Sequence, residues 1–180
     1  MNSYSIKSLF IAIIVLTINL TVEAQVKGDK AVGANLVFTS PRGAVDILGA
    51  GAMFRYNLSN FFRIGSTFNY GFEKNFEKRW DLNINCHFLI PLNSRIKIYP
   101  LSGMGILIFN ADYPIQTDEW GYMYGGKKTS TYLGINWGAG FDYKISSKLT
   151  FNAEWDFKME ATLNDALTYS YIMAGIAYNF

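Results

Sequence analysis

The sequence contains few of the residues that build common catalytic and metal sites. Its 180 residues include one cysteine, Cys86, and one histidine, His87, so no internal disulfide and no zinc site of cysteine and histidine ligands can form. Charged residues make up 17% of the chain, below the ~25% that is usual for a soluble domain. A net charge of +2 without a basic run does not indicate nucleic-acid binding.

Catalysis is not expected from the residues that are present. No serine or acid near His87 forms a recognisable nucleophile arrangement. The glycines do not form a strand–loop–helix motif that could bind phosphate, so no cofactor is expected. The sequence therefore predicts a protein that is not an enzyme and that holds no metal.

The N-terminal segment predicts export from the cytoplasm. Lys7 precedes an apolar run from Leu9 to Leu20, which is shorter than the ~20 residues of a spanning helix. Small residues before Gln25 provide a cleavage site for a signal peptidase. We expect residues 1–24 to be a cleaved signal peptide and residues 25–180 to form one domain.

Apolar residues are abundant in the rest of the chain, and they alternate with polar ones. Aromatic content is 17% and hydrophobic content is 50%. From Leu149 to Glu160, and again from Trp80 to Ile90, every second residue is apolar, a period of two that is typical of β-strands. The pattern predicts eight strands, at 30–39, 46–58, 61–73, 78–91, 95–109, 130–144, 148–160 and 167–180.

The predicted connections alternate between short turns and longer loops. Strands of this length suit a tilted membrane strand of about 9–11 residues, and short turns at one rim with longer loops at the other are typical of outer-membrane barrels. The sequence predicts an all-β fold, a closed antiparallel eight-stranded transmembrane barrel. The predicted turns lie at 58–60, 92–94 and 145–147, and the predicted loops lie near 40–45, 74–78, 110–129 and 160–166.

The distribution of charge favours a membrane barrel. Charges in the strand middles lie opposite the apolar face, and a lysine or arginine in contact with lipid at mid-depth would cost about 2–4 kcal/mol. Many glycines share the charged face and leave room for long side chains in a narrow lumen. The alternative is an exported soluble β-sandwich or a lipocalin-like binding protein, whose interior would be apolar. The predicted polar residues of the lumen are Arg55, Arg63, Arg79, Asp81, Asn83, Asn85, His87, Lys97, Asp142, Glu154, Asp156 and Lys158.

Large aromatic residues on the predicted outer face lie near the strand ends, where the two membrane interfaces would be. The girdle on the short-turn side is predicted to contain Phe54, Tyr56, Phe62, Phe88, Tyr143, Phe151 and Tyr178. The girdle on the loop side is predicted to contain Phe38, Phe72, Trp80, Tyr132 and Phe157.

Two parts of the chain allow more than one interpretation. The lumen residues form either a charge ladder that fills the barrel, which its narrow width favours, or an acid/base site or ion path. The longest loop, 110–129, is either a contact surface for an extracellular ligand or protein, or a continuation of its flanking strands as a hairpin. Its aromatic residues are Tyr113, Trp120, Tyr122 and Tyr124.

The chain resembles the small eight-stranded outer-membrane barrels of the OmpA/OmpX type, and especially the short single-domain members of Bacteroidota. The similarity of pattern covers the whole mature chain, and its most specific motif is the C-terminal sequence from Gly175 to Phe180. In the family, a terminal aromatic, a second aromatic two residues before it and a preceding glycine resemble the signal read by the barrel-assembly machinery. The resemblance implies this role for Gly175, Tyr178 and Phe180, and a location in the outer membrane of a Gram-negative bacterium, in contact with its lipid.

These observations predict an integral outer-membrane barrel with a filled polar lumen and a structural or surface-interaction role. One alternative is a narrow porin-like pore for ions or small solutes. Another, which the resemblance permits, is an accessory role in protein secretion.

Overall fold

The computed structural model describes residues 27–41, 46–117, 119–120, 122–161 and 166–180, and these form eight antiparallel strands. The fourth strand continues beyond Leu89 as the two residues Ile90–Pro91. No helix that could span a membrane occurs in the part of the chain that the structure describes. The strands are β1 (Lys30–Pro41), β2 (Ile47–Asn57), β3 (Phe62–Lys74), β4 (Glu77–Phe88), β5 (Ile96–Thr117), β6 (Met123–Lys144), β7 (Leu149–Ala161) and β8 (Ala166–Asn179).

The sheet closes on itself. Each strand pairs with its neighbours in sequence, and β8 also pairs with β1, where Ala31 lies opposite Asn179. The backbone N–H of Phe180 donates to the carbonyl of Lys30 at 2.9 Å, and the N–H of Lys30 donates in return at 3.2 Å. The predicted fold, a closed barrel of eight antiparallel strands, is confirmed. The predicted signal peptide lies outside the described residues.

Three short turns at one end of the barrel share one mechanism. In each, the side-chain oxygen of Ser59, Asn93 or Ser146 accepts hydrogen bonds from the backbone N–H groups two and three residues later, at 2.8–3.3 Å. Serine and asparagine are common in turns because they make such local bonds. We call this end the turn end and the opposite one the hairpin end.

The loop predicted at 74–78 is wrong, because the chain forms a two-residue turn there. Lys74 lies opposite Glu77, and Asn75 and Phe76 between them have φ angles of 52° and 67°. Two-residue hairpin turns use positive φ at both central positions, and asparagine followed by glycine is their usual signal. Phe76 stands where that glycine is expected, so the sequence pattern did not reveal the turn.

Residues 110–129 continue their flanking strands as a hairpin, which is one of the two interpretations that the sequence left open. β5 and β6 are each 22 residues long and reach Thr117 and Met123. The pairing of β4 with β5 ends at Ala111, and the pairing of β7 with β6 ends at Leu133. Beyond these residues, β5 and β6 are the only described strands that pair, and they form what we call the extended hairpin, residues 112–132.

The two faces of the wall differ in polarity as predicted. Along β4, every second residue from Glu77 to His87 is buried and the residues between them are exposed. The outer face is apolar, with Leu36, Met104 and Leu133 more than 60% exposed. An apolar outside around a polar inside is the arrangement of a barrel in lipid, and it is the reverse of a lipocalin-like barrel.

One residue of the predicted outer girdle faces the lumen instead. Tyr132 is 6% exposed, and it shares the inward face of β6 with Asn136 and Asp142. A tyrosine suits either face, because its ring fills space and its hydroxyl forms hydrogen bonds. It packs in a buried cluster with Val37, Leu107, Tyr169, Tyr171 and Met173.

Candidate functional site

The structure places the predicted polar residues on the inner face of the barrel. Lys97 is half-buried near the turn end, and the other eleven are at most 7% exposed. Charged side chains from opposite strands meet across the lumen in two separate clusters, and these side chains come from five different strands.

The cluster nearer the turn end joins two arginines to two carboxylates. Arg55 donates to Asp142 at 3.0 Å and to Glu154 at 2.5 Å, and Arg63 donates to the other oxygen of Asp142 at 2.5 Å. Hydrogen bonds between ionised groups are the strong ones, and the planar guanidinium is suited to serving two carboxylates. We call these four residues the turn-end cluster, and it ties β2 and β3 to β6 and β7.

Tyr99 and His87 complete this cluster from β5 and β4. The Tyr99 hydroxyl lies 2.8 Å from Glu154 and 3.2 Å from Asp142. His87 Nδ1 accepts a hydrogen bond from Arg63 Nε at 3.0 Å, and its ring stacks on Tyr99 with centroids 4.9 Å apart. Because Nδ1 accepts a bond from a cation, His87 is neutral here and serves packing.

The second cluster, nearer the hairpin end, is built on one lysine. Lys158 Nζ donates to both carboxylate oxygens of Asp81, at 2.9 and 2.7 Å, and to Asn83 Oδ1 at 2.6 Å. The Tyr169 hydroxyl donates to Asp81 at 3.2 Å, and the Lys158 ammonium lies 4.1 Å from the ring centroid of Tyr171. We call Asp81, Asn83 and Lys158 the lysine cluster, and it joins β4 to β7.

A further ion pair, outside the two clusters, lies toward the hairpin end. Arg79 donates to Glu77 at 3.4 Å, and the Tyr113 hydroxyl donates to the other oxygen of Glu77 at 2.8 Å. The hydrogen bond to Glu77 raises the pKa of Tyr113 above its usual value. Tyr113 therefore attaches the base of the extended hairpin to the mouth of the barrel.

Two pairs of buried asparagines bond across an intervening strand. Asn35 donates to Asn69 at 2.7 Å, and Asn136 donates to Asn85 at 2.5 Å. A glycine lies opposite both members of each pair. A Cβ on Gly51 would lie 2.0 Å from Asn69 Oδ1, and one on Gly103 would lie 2.3 Å from Asn85 Oδ1.

These glycines are therefore required where they stand, since a side chain would occupy the path of each hydrogen bond. Sequence reasoning missed Asn35, Asn69 and Asn136, as well as Tyr99. The sequence did contain the signal: in each pair, both asparagines are at inward-facing positions, on the two strands on either side of a strand that carries a glycine. That pattern becomes visible only when the register between the strands is known.

Two cavities among the described lumen residues are small. One cavity of about 10 Å³ borders Arg55, Arg63 and Asp142, and another of about 10 Å³ borders Asp81 and Tyr171. A volume of that size holds about one water molecule. Among the described residues, no group of three histidine, cysteine, aspartate or glutamate side chains could hold a metal ion.

Of the predicted assembly signal, Tyr178 and Phe180 lie at the turn end and Gly175 lies further along β8, opposite Asn35. Gly175 faces the lumen, where a Cβ would lie 2.4 Å from the carbonyl oxygen of Ala34. Tyr178 and Phe180 are 43% and 63% exposed. The glycine therefore serves close packing, whereas both aromatic rings are accessible from outside the barrel.

The aromatic residues near the tip of the extended hairpin are largely exposed. Trp120 is 85% exposed and Tyr122 is 73% exposed, whereas Tyr113 is bonded to Glu77. The backbone of Tyr124 lies opposite Gln116, and its side chain is outside the described part of the chain. The structure thus presents at least two large aromatic side chains at the tip.

At the sequence level, no family model and no curated protein matches this chain. Solved structures do match its fold. The crystal structure of Neisserial surface protein A (NspA) has a TM-score of 0.61 at 13% identity, over 84% of this chain and 96% of that one. The outer membrane protein OprG of Pseudomonas aeruginosa has a TM-score of 0.59 at 12% identity, over 89% and 99%.

The attachment invasion locus protein Ail of Yersinia pestis has a TM-score of 0.58 at 16% identity, over 86% of this chain and 99% of that one. At such identities the likeness concerns the fold. Together with the closed sheet, the apolar outer face and the polar lumen, it shows that this chain has the fold of the small eight-stranded outer-membrane β-barrels.

Proposed function

We propose that the protein is an integral outer-membrane barrel with a filled lumen and that it acts as a structural or surface-interaction element. The observation that carries this proposal is the pair of ionic clusters that cross the lumen. Side chains from β2 and β3 bond to β6, and a side chain from β7 bonds to β4, with distances of 2.5–3.0 Å. These bonds occupy the path that an ion would need.

Conductance separates this role from that of a narrow pore. The mature chain, refolded and inserted into a planar bilayer, should show no stepwise conductance. A double variant, Arg63→Ser with Asp142→Ser, removes the bond across the lumen and serves as the comparison, because it should leak more than the native barrel. Steady unitary currents from the native barrel would favour the pore.

The proposed role is not enzymatic. The sole histidine is 2% exposed, stacked on Tyr99 and bonded to Arg63. A general base must reach its substrate, and His87 is enclosed by residues of its own barrel. This packing supports a structural role for His87, on which any histidine-dependent catalysis would rely.

Export and assembly are part of the proposal. We expect the protein isolated from outer membranes to begin at Gln25, which N-terminal mass spectrometry would show. Deleting Phe180 should lower the amount of heat-modifiable folded barrel in cells, whereas Phe180→Tyr, which keeps an aromatic ring, should retain most of it. Equal amounts from the deletion and the native chain would argue against an assembly signal at this residue.

A second candidate role is binding at the cell surface through the extended hairpin. Trp120, Tyr122 and Met123 are 85%, 73% and 76% exposed, and exposed aromatic side chains near flexible glycines suit a contact surface. A crystal structure of Ail, which has the same fold, contains the heparin analogue sucrose octasulfate. Heparin is therefore a reasonable first probe.

The matched test compares the native chain, one double variant and one single-residue control on immobilised heparin. Trp120→Ala with Tyr122→Ala should reduce retention of cells that display the barrel. Phe76→Ala, which removes another exposed ring at the hairpin end, is the control and should change retention little. Equal retention by all three proteins would remove heparin-like glycans as a ligand of the hairpin.

A further inference from the structure

The buried charges of the lumen do not balance. Among the described residues, the buried cations are Arg55, Arg63, Arg79 and Lys158. The buried anions are Glu77, Asp81, Asp142, Glu154 and Asp156. All four cations and four of the five anions belong to ion pairs. The remaining anion is Asp156.

Asp156 is enclosed and has no hydrogen-bond partner. Its exposed fraction is 1%, and neither of its carboxylate oxygens accepts a hydrogen bond. It lies opposite Gly138 on β6 and Tyr171 on β8. The nearest ammonium on its own strand, that of Lys158, is already bonded to Asp81 and Asn83.

The charged groups around Asp156 do not compensate for it. Glu154 and Lys158 flank it on the inner face of β7, and Asp81 on β4 approaches from across the lumen. Two of these three groups are carboxylates, so the surroundings add negative charge. A buried, unpaired ion costs several kcal/mol, and proteins avoid this by neutralising the group or by binding a counter-ion.

We propose that Asp156 is a binding site inside the lumen for one positive charge taken up from solution, either a proton or a small monovalent cation. A proton bound to the carboxylate makes it a neutral acid. A cation would need further oxygen ligands, and Asn136, two residues from Gly138 on the same face of β6, has a buried Oδ1 without a donor.

The geometry gives the proton the advantage. A Cβ on Gly138 would lie 2.8 Å from Asp156 Oδ1 and 2.8 Å from the Asp156 Cα. The carboxylate therefore lies directly over the glycine backbone, with little room between the two strands. A proton adds no volume, whereas an alkali cation has to fit with its ligands.

Uptake of the charge must be linked to folding. In the unfolded chain Asp156 is in water and ionises near pH 4, as aspartate normally does. If the folded barrel holds one proton more than the unfolded chain, the free energy of unfolding falls as the pH rises above that value. If it holds a cation instead, stability rises with the concentration of that cation.

The experiment compares the mature native chain with Asp156→Asn, which has nearly the same shape and no charge. Both are refolded in uncharged lipid vesicles, and urea midpoints are measured from about pH 4 to pH 9. The native midpoint should fall relative to that of Asp156→Asn as the pH rises. Asp46→Asn, which changes an exposed aspartate, is the control and should behave like the native chain.

Two further measurements identify the charge. Infrared spectra of the native barrel at neutral pH should contain the C=O stretch of a protonated carboxylic acid, and Asp156→Asn should lack it. The site is assigned to the cation if this band is absent and the native urea midpoint rises when sodium or potassium replaces choline. No band and identical pH and cation responses in the two proteins would overturn the proposal.

Discussion

The turn-end cluster and the lysine cluster lie in the same lumen, and they differ in how their cations distribute hydrogen bonds. In the first, two guanidinium groups reach two carboxylates, and Asp142 accepts from both arginines. In the second, one ammonium makes three bonds, two of which go to the same carboxylate. An ammonium has three donors and a guanidinium has five, so the lysine cluster has no donor left for Asp156.

The comparison shows that charge pairing in a narrow barrel is limited by donor geometry as well as by the count of charges. The guanidinium groups of Arg55 and Arg63 extend from β2 and β3 and meet one carboxylate on β6. Lys158 is the only cation whose described ion pair joins the middle of β4 to β7. The turn-end cluster should therefore tolerate conservative changes less well, because each of its members has several partners.

The largest effect should come from Asp142→Ala. Removing this carboxylate takes one ion-pair partner from Arg55 and the carboxylate that pairs with Arg63, and breaking a buried ion pair costs about 3–5 kcal/mol. Urea unfolding in vesicles, followed by tryptophan fluorescence, measures the loss. Asp112→Ala removes an exposed pair with Lys127 and should cost less than about 1 kcal/mol. Similar losses from both variants would contradict the importance of the cluster.

Lys158→Met should destabilise the barrel by about 3 kcal/mol, the lower end of the range for a broken buried pair. The loss is at the lower end because Asp81 keeps its bonds to Tyr169 and Asn83. Adding Asp81→Asn should restore part of the stability, since the unpaired charge is then removed. A double-mutant cycle with the same unfolding assay gives the coupling, and strict additivity would show that the two groups are independent.

Tyr99→Phe should cost about 1 kcal/mol, because it removes one hydroxyl from the turn-end cluster and leaves both arginine–carboxylate pairs in place. Tyr169→Phe makes the same change in the lysine cluster. Tyr169→Phe should cost more unfolding free energy in the Lys158→Met background than in the native chain, because Asp81 then has fewer remaining partners. Unfolding free energies of the two single variants and of Tyr169→Phe with Lys158→Met test this, and an unchanged Tyr169→Phe effect would refute it.

The smallest effect, about 0.5 kcal/mol, is expected from Thr67→Val, which keeps the shape of the side chain. It removes the acceptor that Asn83 Nδ2 uses at 3.2 Å, while Asn83 retains its bond to Asp81. The same urea assay applies, with Thr129→Val, at an exposed hydroxyl that bonds to Asn110, as the control. A loss above that of Tyr99→Phe would mean that Thr67 holds the lysine cluster in place.

Much of the fold follows from alternation along the sequence. Period two assigns residues such as Asn83 and Glu154 to the inner face, because a strand sends successive side chains to opposite sides. The same alternation explains why the charged side chains face the lumen and not the lipid. The same rule places Tyr132 inside, since it has the parity of Asp142, and the aromatic character of the residue was what led to the wrong expectation.

The partners within the lumen could not be predicted in the same way. Arg63 and Asp142 are 79 residues apart and meet because the closed sheet brings β3 opposite β6. Which side chains meet depends on the tilt and stagger of the strands, and alternation does not determine these quantities. Continuation of β5 and β6 as a hairpin was one of two interpretations of residues 110–129, and alternation alone did not decide between them.

The seam between β1 and β8 has a consequence for how the chain folds. Every other contact between neighbouring strands closes a hairpin, whereas the seam joins residues as far apart as Ala31 and Asn179. Until β8 arrives, both edges of the sheet carry unpaired backbone groups, which hydrocarbon does not tolerate. Closure of the barrel and insertion into the membrane should therefore be one cooperative event of high contact order. A chain without its last strand should not form a stable partial barrel.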